Sequence, residues 1–317
     1  MNKLRQTRWL EWPTLALFFS TYLLFAIATI YAQYLPSFAI IVILAILLTI
    51  HSSLQHETIH ILEPQWPVLS ILLASPALGM VVPYSRFRDL HLAHHINEQL
   101  TDPFDDPETG YYEATFWMRF PNYIKIILQF NNTLLGRILI GPLIGTITFI
   151  QSDLNLIFQG NKQVFYGWLH FIPALMIVLL WLYYFGTVQV WEYAIAAYSA
   201  LSILKIRTFI EHRAHSITNA RSVIVCDRGL LSILFLNNNF HAVHHSYPSV
   251  PWYNLPSMFK LNKNKFLTSN DNYYYKNYFT VFKKYLLVKK EKLVHPYWNL
   301  QNRTIALNQS EKKQAIK

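Results

Sequence analysis

Uncharged apolar positions gather into two pairs of long segments. Residues 14–32 carry no charge and would cover roughly 28 Å as a helix, enough to cross a bilayer. Residues 36–50 repeat the pattern after a very short connection and run into a polar stretch that opens at His51, so the two segments predict a transmembrane hairpin. Residues 164–185 and about 187–205 predict a second hairpin, joined near Gly186. Three other apolar stretches are interrupted. Residues 67–83 hold Pro67, Pro76, Gly79 and Pro83; residues 134–150 hold Arg137, glycines and Pro142; residues 229–236 are too few. These predict re-entrant or interfacial segments.

Charge orients the hairpins. Lys3, Arg5 and Arg8 precede the first span and Lys205 and Arg207 end the fourth, whereas the turns near residues 32–36 and 186–191 hold no Lys or Arg. The positive-inside rule then puts both termini on the cytoplasmic side. Ala26-Ile27-Ala28 has the small-residue form of a signal-peptide cleavage site, but the apolar run continues past it, so an uncleaved span is expected.

Composition agrees with membrane residence. Of 317 residues, 53% are hydrophobic and 14% charged, against about 25% charged in soluble domains. The mean hydropathy is +0.20. The net charge is +10, which suits contact with anionic lipid or acidic partners. Residues 257–317 stand apart as a basic, aromatic-rich cytosolic extension, with nine lysines between Lys260 and Lys292 among several tyrosines. Anionic lipid is the expected partner of that segment; nucleic acid is not. Cys226 is the one cysteine, which excludes disulfides and cysteine-built metal clusters within the chain.

Histidine changes the picture most. Ten of the 13 histidines fall in four clusters: His56 and His60 in HETIH; His91, His94 and His95 in HLAHH; His212 and His215 in EHRAH; His241, His244 and His245 in HAVHH. On helices these spacings put the imidazoles of each cluster on one face. HxxHH would arise by chance roughly 0.02 times in such a chain, and it occurs twice. Converging neutral imidazoles make a site for a borderline metal, iron and zinc both being possible. All four clusters follow an even number of crossings only if residues 67–83 do not span. His51, His170 and His295 read as structural.

HETIH, HLAHH and HAVHH, in that order between membrane hairpins, resemble the three histidine boxes of the integral-membrane fatty acid desaturase superfamily, which includes alkane hydroxylases and carotenoid ketolases. The similar region runs from about residue 51 to Pro256, with the pairs Asp102-Pro103 and Asp106-Pro107 after the second box and VPWYNLP after the third. The resemblance implies an all-α membrane domain over residues 1–256 whose histidine-rich cap is cytosolic. It implies two irons held by His56, His60, His91, His94, His95, His241, His244 and His245. A ninth ligand commonly follows the fourth span, where His212 fits best and His215 is the spare. Glu57, Asp89 and Glu211 are candidates to accept the outer imidazole N–H. Asn237, with Asn238 and Asn239 beside it, could orient an imidazole or hold water. Arg86 and Arg88 read as a positive flank.

The reaction so implied uses O2 and two electrons to break an unactivated C–H bond, giving an alkene in a desaturase and an alcohol in a hydroxylase. The expected substrate is a fatty acyl chain entering from lipid. With one cysteine and no FAD or NAD fingerprint, electrons are expected from a separate ferredoxin or cytochrome. Other readings use less of the pattern. HETIH is also a literal HExxH zinc-protease motif, but that leaves both HxxHH clusters idle. A metal transporter needs ligands inside the spans, a bis-histidine haem protein needs single facing histidines, and soluble di-iron bundles need two Glu-x-x-His pairs.

Overall fold

The computed structural model describes residues 11–96 and 100–298 and is mostly helical. Lys3, Arg5 and Arg8, on which the orientation argument leans, lie outside the described residues. Two long helices open the chain, α1 (Trp12–Ile30) and α2 (Ser37–Ile61). They are followed by α3 (Pro67–Ala74) and α4 (Tyr84–His94). Then come α5 (Ala114–Arg119), α6 (Asn122–Asn131), α7 (Leu134–Leu139) and α8 (Gly141–Phe158). The second long pair is α9 (Lys162–Phe185) and α10 (Val190–Thr208). The remainder is short: β1 (Ile224–Val225), α11 (Leu230–Leu234), α12 (His241–Ser246), α13 (Leu255–Leu261), α14 (Lys263–Ser269), β2 (Tyr274–Tyr275) and α15 (Tyr278–Tyr285).

Among the described residues, three helices, α1, α2 and α9, are long and apolar enough to cross a membrane. Where the sequence predicts a fourth, α10 is long, but Glu192, Lys205 and Arg207 break its apolar run. It packs along α2, which also lies against α1. Phe25, Ile40, Leu44, Leu47, Val178 and Ala196 interlock between these helices. Outward, Phe19, Phe38, Ile172, Ile177 and Tyr183 are exposed; so wide an apolar belt belongs against lipid. His170, on α9, is exposed as well.

The interrupted stretches form short elements. At about 1.5 Å per residue, the eight residues of α3 cover roughly 12 Å, too little to cross a bilayer. The irregular backbone after it is satisfied from neighbouring helices: Gln55 donates to the Ala74 carbonyl (2.7 Å), Tyr193 to the Leu78 carbonyl (2.7 Å) and the Ala77 N–H to the Ala174 carbonyl (3.4 Å). Irregular backbone survives at such depth only when protein supplies these partners. Residues 134–150 split between α7 and α8, and residues 229–236 contain the five-residue α11.

Past Pro256 the chain joins the histidine-bearing end of the molecule. β2 pairs in parallel with β1, Ile224 opposite Tyr274 and Val225 opposite Tyr275. Tyr273, Tyr275, Tyr278, Val281 and Tyr285 share one core with Phe209, Ile210, Val223 and Phe235. Half-buried Cys226 packs at the edge of the neighbouring cluster.

An ion pair fixes α4 to the α8–α9 pair. Arg86, read from sequence as a flanking charge, is buried and grips Asp153 with two 2.9 Å hydrogen bonds, while Trp168 Nε1 donates to the same carboxylate at 2.8 Å. Gly167 permits this approach, since a Cβ there would meet Arg86 Cδ at 3.0 Å. Arg88 pairs instead with Glu63 and Asp89 at the half-buried rim. Breaking a buried pair from one side leaves an uncompensated charge, costing about 3–5 kcal/mol. Asp153→Ala is therefore expected to lower the thermal unfolding temperature in detergent well below that of Arg88→Ala. Equal unfolding temperatures would show that the Asp153 pair does not hold α4.

Candidate metal centre

The nine histidines expected from the sequence come together from four places in the chain. α2 extends beyond its apolar run far enough to present His56 and His60 one turn apart. α4 presents His91 and His94, with His95 capping its end. His212 follows α10, held by a bridge to Ser222 and by the Lys290 ammonium on its carbonyl. α12 carries His241, His244 and His245. Before α12 the chain reverses through Leu236 (φ 48) and Asn237 (φ 54), both left-handed. Asn tolerates that conformation, whereas leucine adopts it only under constraint.

Two sets result. His56, His60, His91, His95 and His244 each offer a nitrogen, all within 4.8 Å of one another; His94, His212, His241 and His245 form the second set on the same measure. In the first, Nε2 of His91 lies 3.0 Å from Nε2 of both His60 and His95, and Nε2 of His244 lies 3.1 Å from that of His95. In the second, Nε2 of His212 is 2.9 Å from those of His94 and His241, with 3.1 Å between His241 and His245. The sets adjoin through stacked His95 and His245 rings, 4.3 Å apart at 11°.

The partners on the other ring edge show which nitrogens hold lone pairs. His91 Nδ1 lies 3.1 Å from Glu108 Oε1, His94 Nδ1 2.8 Å from Asp106 Oδ1, and His241 Nδ1 3.1 Å from Asn238 Oδ1. Each partner is an acceptor, so Nδ1 carries the hydrogen, and on His91 and His241, which burial keeps neutral, Nε2 is bare. Bare nitrogens about 3 Å apart repel unless a cation sits among them. Donors set at right angles around a first-row ion, each about 2.1 Å from it, stand about 3.0 Å apart. His56 Nε2, buried with no hydrogen-bond partner among the described residues, also lacks a protein explanation. Donor type, spacing and this orphan atom all fit two bound metal ions.

Electrostatics point the same way. Burial holds His212, His241, His244 and His245 well below the ordinary imidazole range, neutral and ready to ligate. Burial, with His91 and His60 nearby, pushes His95 down to about 2. His94 differs: burial opposes its protonation, but Glu108 and the hydrogen-bonded Asp106 outweigh it and raise His94 to about 9. Burial likewise opposes ionisation of Glu108, yet the charge on His94 and the bond to His91 keep its carboxyl well below the usual range. Glu108 is thus an anion placed to balance a cation.

The other sequence candidates fall outside the sets. His215 accepts from the Ile217 N–H and faces Asp271. His51 contacts the Tyr22 hydroxyl at 3.0 Å, and His295 contacts Thr101. Among the acids, Glu211 Oε1 lies 3.6 Å from His241 Nδ1 and 2.8 Å from Arg207. Glu57 accepts instead from the Trp252 N–H (3.0 Å), and Asp89 takes Arg88 and Gln163. Asn237 donates to the Trp252 carbonyl; it is Asn238 that orients His241. Glu108 escapes a sequence reading altogether. The two Asp-Pro pairs signal a structured turn, but nothing in them tells which carboxylate folds back onto which imidazole.

No individual curated protein matches the chain. The profile described as fatty acid desaturase matches residues 32–277, covering all three histidine boxes and the segment carrying His212. On that match and this arrangement of histidines, the chain belongs to the fatty acid desaturase family.

Proposed function

We propose that the protein is an O2-dependent di-iron desaturase of fatty acyl chains, and that its nine clustered histidines are the iron ligands. Family membership makes it a membrane oxidoreductase with a lipid or acyl substrate. The observation that carries the finer reading is the division into five and four converging imidazole nitrogens. One iron would be held by His56, His60, His91, His95 and His244, the other by His94, His212, His241 and His245. Together with O2 and electrons, the irons supply the oxidising power for C–H cleavage, which no side chain offers.

The residues of this chain position and shield. Asp106, Glu108 and Asn238 hold three imidazoles with Nδ1–H outward and Nε2 inward, a geometry that also strengthens each nitrogen as a donor. Glu57 ties Trp252 of the VPWYNLP segment to α2, so the chain after the third box closes over the first. α2 joins the lipid-facing apolar bundle directly to His56 and His60, so an acyl chain would reach the site from the lipid side. The role of Glu57 also argues against a zinc protease, whose glutamate must face the metal and its water.

The reading includes α10 as a fourth span, with the histidine boxes and both termini cytoplasmic. Lys205 and Arg207 at the end of α10 support that orientation. Electrons would come from a separate ferredoxin or cytochrome with an acidic face, drawn by the basic surface of the chain.

Purified protein is expected to hold two irons per chain, and lipids of an expressing host to gain species lighter by two hydrogens. Products heavier by one oxygen would make it a hydroxylase on the same scaffold. One zinc per chain with unchanged lipids would overturn the reading. His94→Ala is expected to abolish turnover and lower bound iron while membrane insertion persists; full activity would remove His94 from the ligand set. Asp106→Ala should weaken iron retention against a chelator by about 10–100-fold. Asp89→Ala, which touches no imidazole in the described residues, should leave retention unchanged, and equal losses in both would refute the assigned role of Asp106.

A further inference from the structure

Where α7, α8 and α10 meet, two cations have no counterion among the described residues. Lys205, near the end of α10, makes no hydrogen bond or ion pair there, whereas Arg207, two residues on, is neutralised by Glu211 at 2.8 Å. Glu108 and Glu211 attract the Lys205 ammonium only through space. Arg137, on α7, donates from Nε to the Asn131 carbonyl at 3.2 Å and keeps both end nitrogens free. α8 brings the two together. A Cβ on Gly141 would meet Arg137 Cδ at 2.9 Å, and one on Gly145 would meet Lys205 Nζ at 3.0 Å. These glycines lie one turn apart, about 5–6 Å between Cβ positions, so both charged side chains cross the same face of α8. Both residues are half-buried, and their charged ends keep accessible surface that a ligand can reach. Like charges drawn together and partly out of water are unfavourable until an anion joins them.

An apolar track leads to this pair. Trp191, Ile195 and Tyr198 are exposed and stand at helical spacings that put them on one face of α10 with Lys205. The Tyr198 hydroxyl donates to the carbonyl of exposed Leu139, two residues from Arg137. From Trp191 to Lys205 the track covers about 21 Å at about 1.5 Å per residue. A soluble anion would leave this stripe unused, and a neutral amphiphile would leave the cations unmet. We propose that Arg137 and Lys205 hold the oxyanion, phosphate or carboxylate, of a lipid whose chain lies along the Trp191, Ile195 and Tyr198 face of α10. The positive-inside rule accounts for cations at this end of the span, but not for two of them converging over paired glycines without a carboxylate. The lipid is either a phospholipid of the surrounding membrane or the acyl substrate itself. The site needs a bilayer but neither iron nor O2, so it stands apart from the reaction proposed above.

The test is native mass spectrometry of the full-length, detergent-solubilised protein titrated separately with phosphatidic acid, stearate and zwitterionic phosphatidylcholine. One molecule of phosphatidic acid or stearate should bind well ahead of phosphatidylcholine. Arg137→Gln and Lys205→Gln should each weaken that binding about five-fold, and each stands in for the other should one fail to fold. Lys205→Arg should keep native binding, as should Lys283→Gln, which removes an exposed lysine of α15. Native binding in both Arg137→Gln and Lys205→Gln, or an equal loss in Lys283→Gln, would overturn the site in favour of diffuse attraction by basic charge. Preferred binding of stearate, with a raised KM and native kcat in the two Gln variants, would identify the occupant as substrate. Preferred binding of phosphatidic acid with native KM would identify a membrane phospholipid. Because bound lipid is the primary readout, protein without iron or turnover would sink the proposed reaction and leave the binding result standing.

Discussion

Nine imidazole rings converge with one nitrogen of each close to its neighbours, an arrangement the protein alone does not favour. Neutral nitrogens 2.9–3.1 Å apart, as between His212 and His241 or His95 and His244, gain nothing from one another when their hydrogens point outward, and burial removes the water that would otherwise solvate them. The surrounding structure must supply the restraint until a cation does. Much of the histidine-bearing end can be understood as that restraint.

It is provided mostly by bonds distant in sequence. α12 is only six residues long, far too short to be stable alone. The Ala242 N–H donates to the Val223 carbonyl, and the Asn239 amide donates to the Val225 carbonyl at 2.7 Å, so the third box hangs on β1. β1 in turn pairs with β2 from the C-terminal segment. A two-residue strand pair gains little from its own hydrogen bonds, but Ile224 and Val225 are fully buried, and apolar burial contributes far more there. On the opposite side the Arg86–Asp153 pair fixes α4, with rigidity taken from the membrane-facing helices rather than from the loop that follows.

The elements most legible in the sequence are those set by local periodicity. The i, i+4 spacing of His56 and His60 and the i, i+3, i+4 spacing of the HxxHH boxes place imidazoles on one helix face whatever the tertiary structure does. The apolar runs of α1, α2 and α9 announce themselves by length. Partners chosen by tertiary packing were not legible. Asp89 sits two residues before His91 yet turns to Arg88 and Gln163, while Glu108, 17 residues further on than His91, folds back to it. Asn237 and Asn238 are indistinguishable by composition; the left-handed turn at Leu236 and Asn237 aims the second at His241. The lysine pattern of the C-terminal segment hides its buried face, because Tyr273, Tyr275 and Tyr278 look equally suited to an interface with lipid. α10 reads as a span by length and carries charges that a simple apolar window rejects.

The two histidine sets are electrostatically unequal, and one carboxylate links them. The first set is richer in imidazole, with Glu108 at 3.1 Å from the outer edge of His91. The second has one imidazole fewer but Asp106 directly on His94, Glu211 within 3.6 Å of His241 and uncharged Asn238 and Ser222 on two other rings. Glu108 also lies 4.0 Å from His94 Nε2, on its inner side, so its charge is shared between the sets. Arg207 offsets part of the negative charge at Glu211. Anionic partners stabilise a more highly charged metal, and imidazoles alone add no charge. The carboxylates that make the two sets unequal come from the loop after the second box and from the segment after α10, stretches whose sequence shows carboxylates but not their destinations.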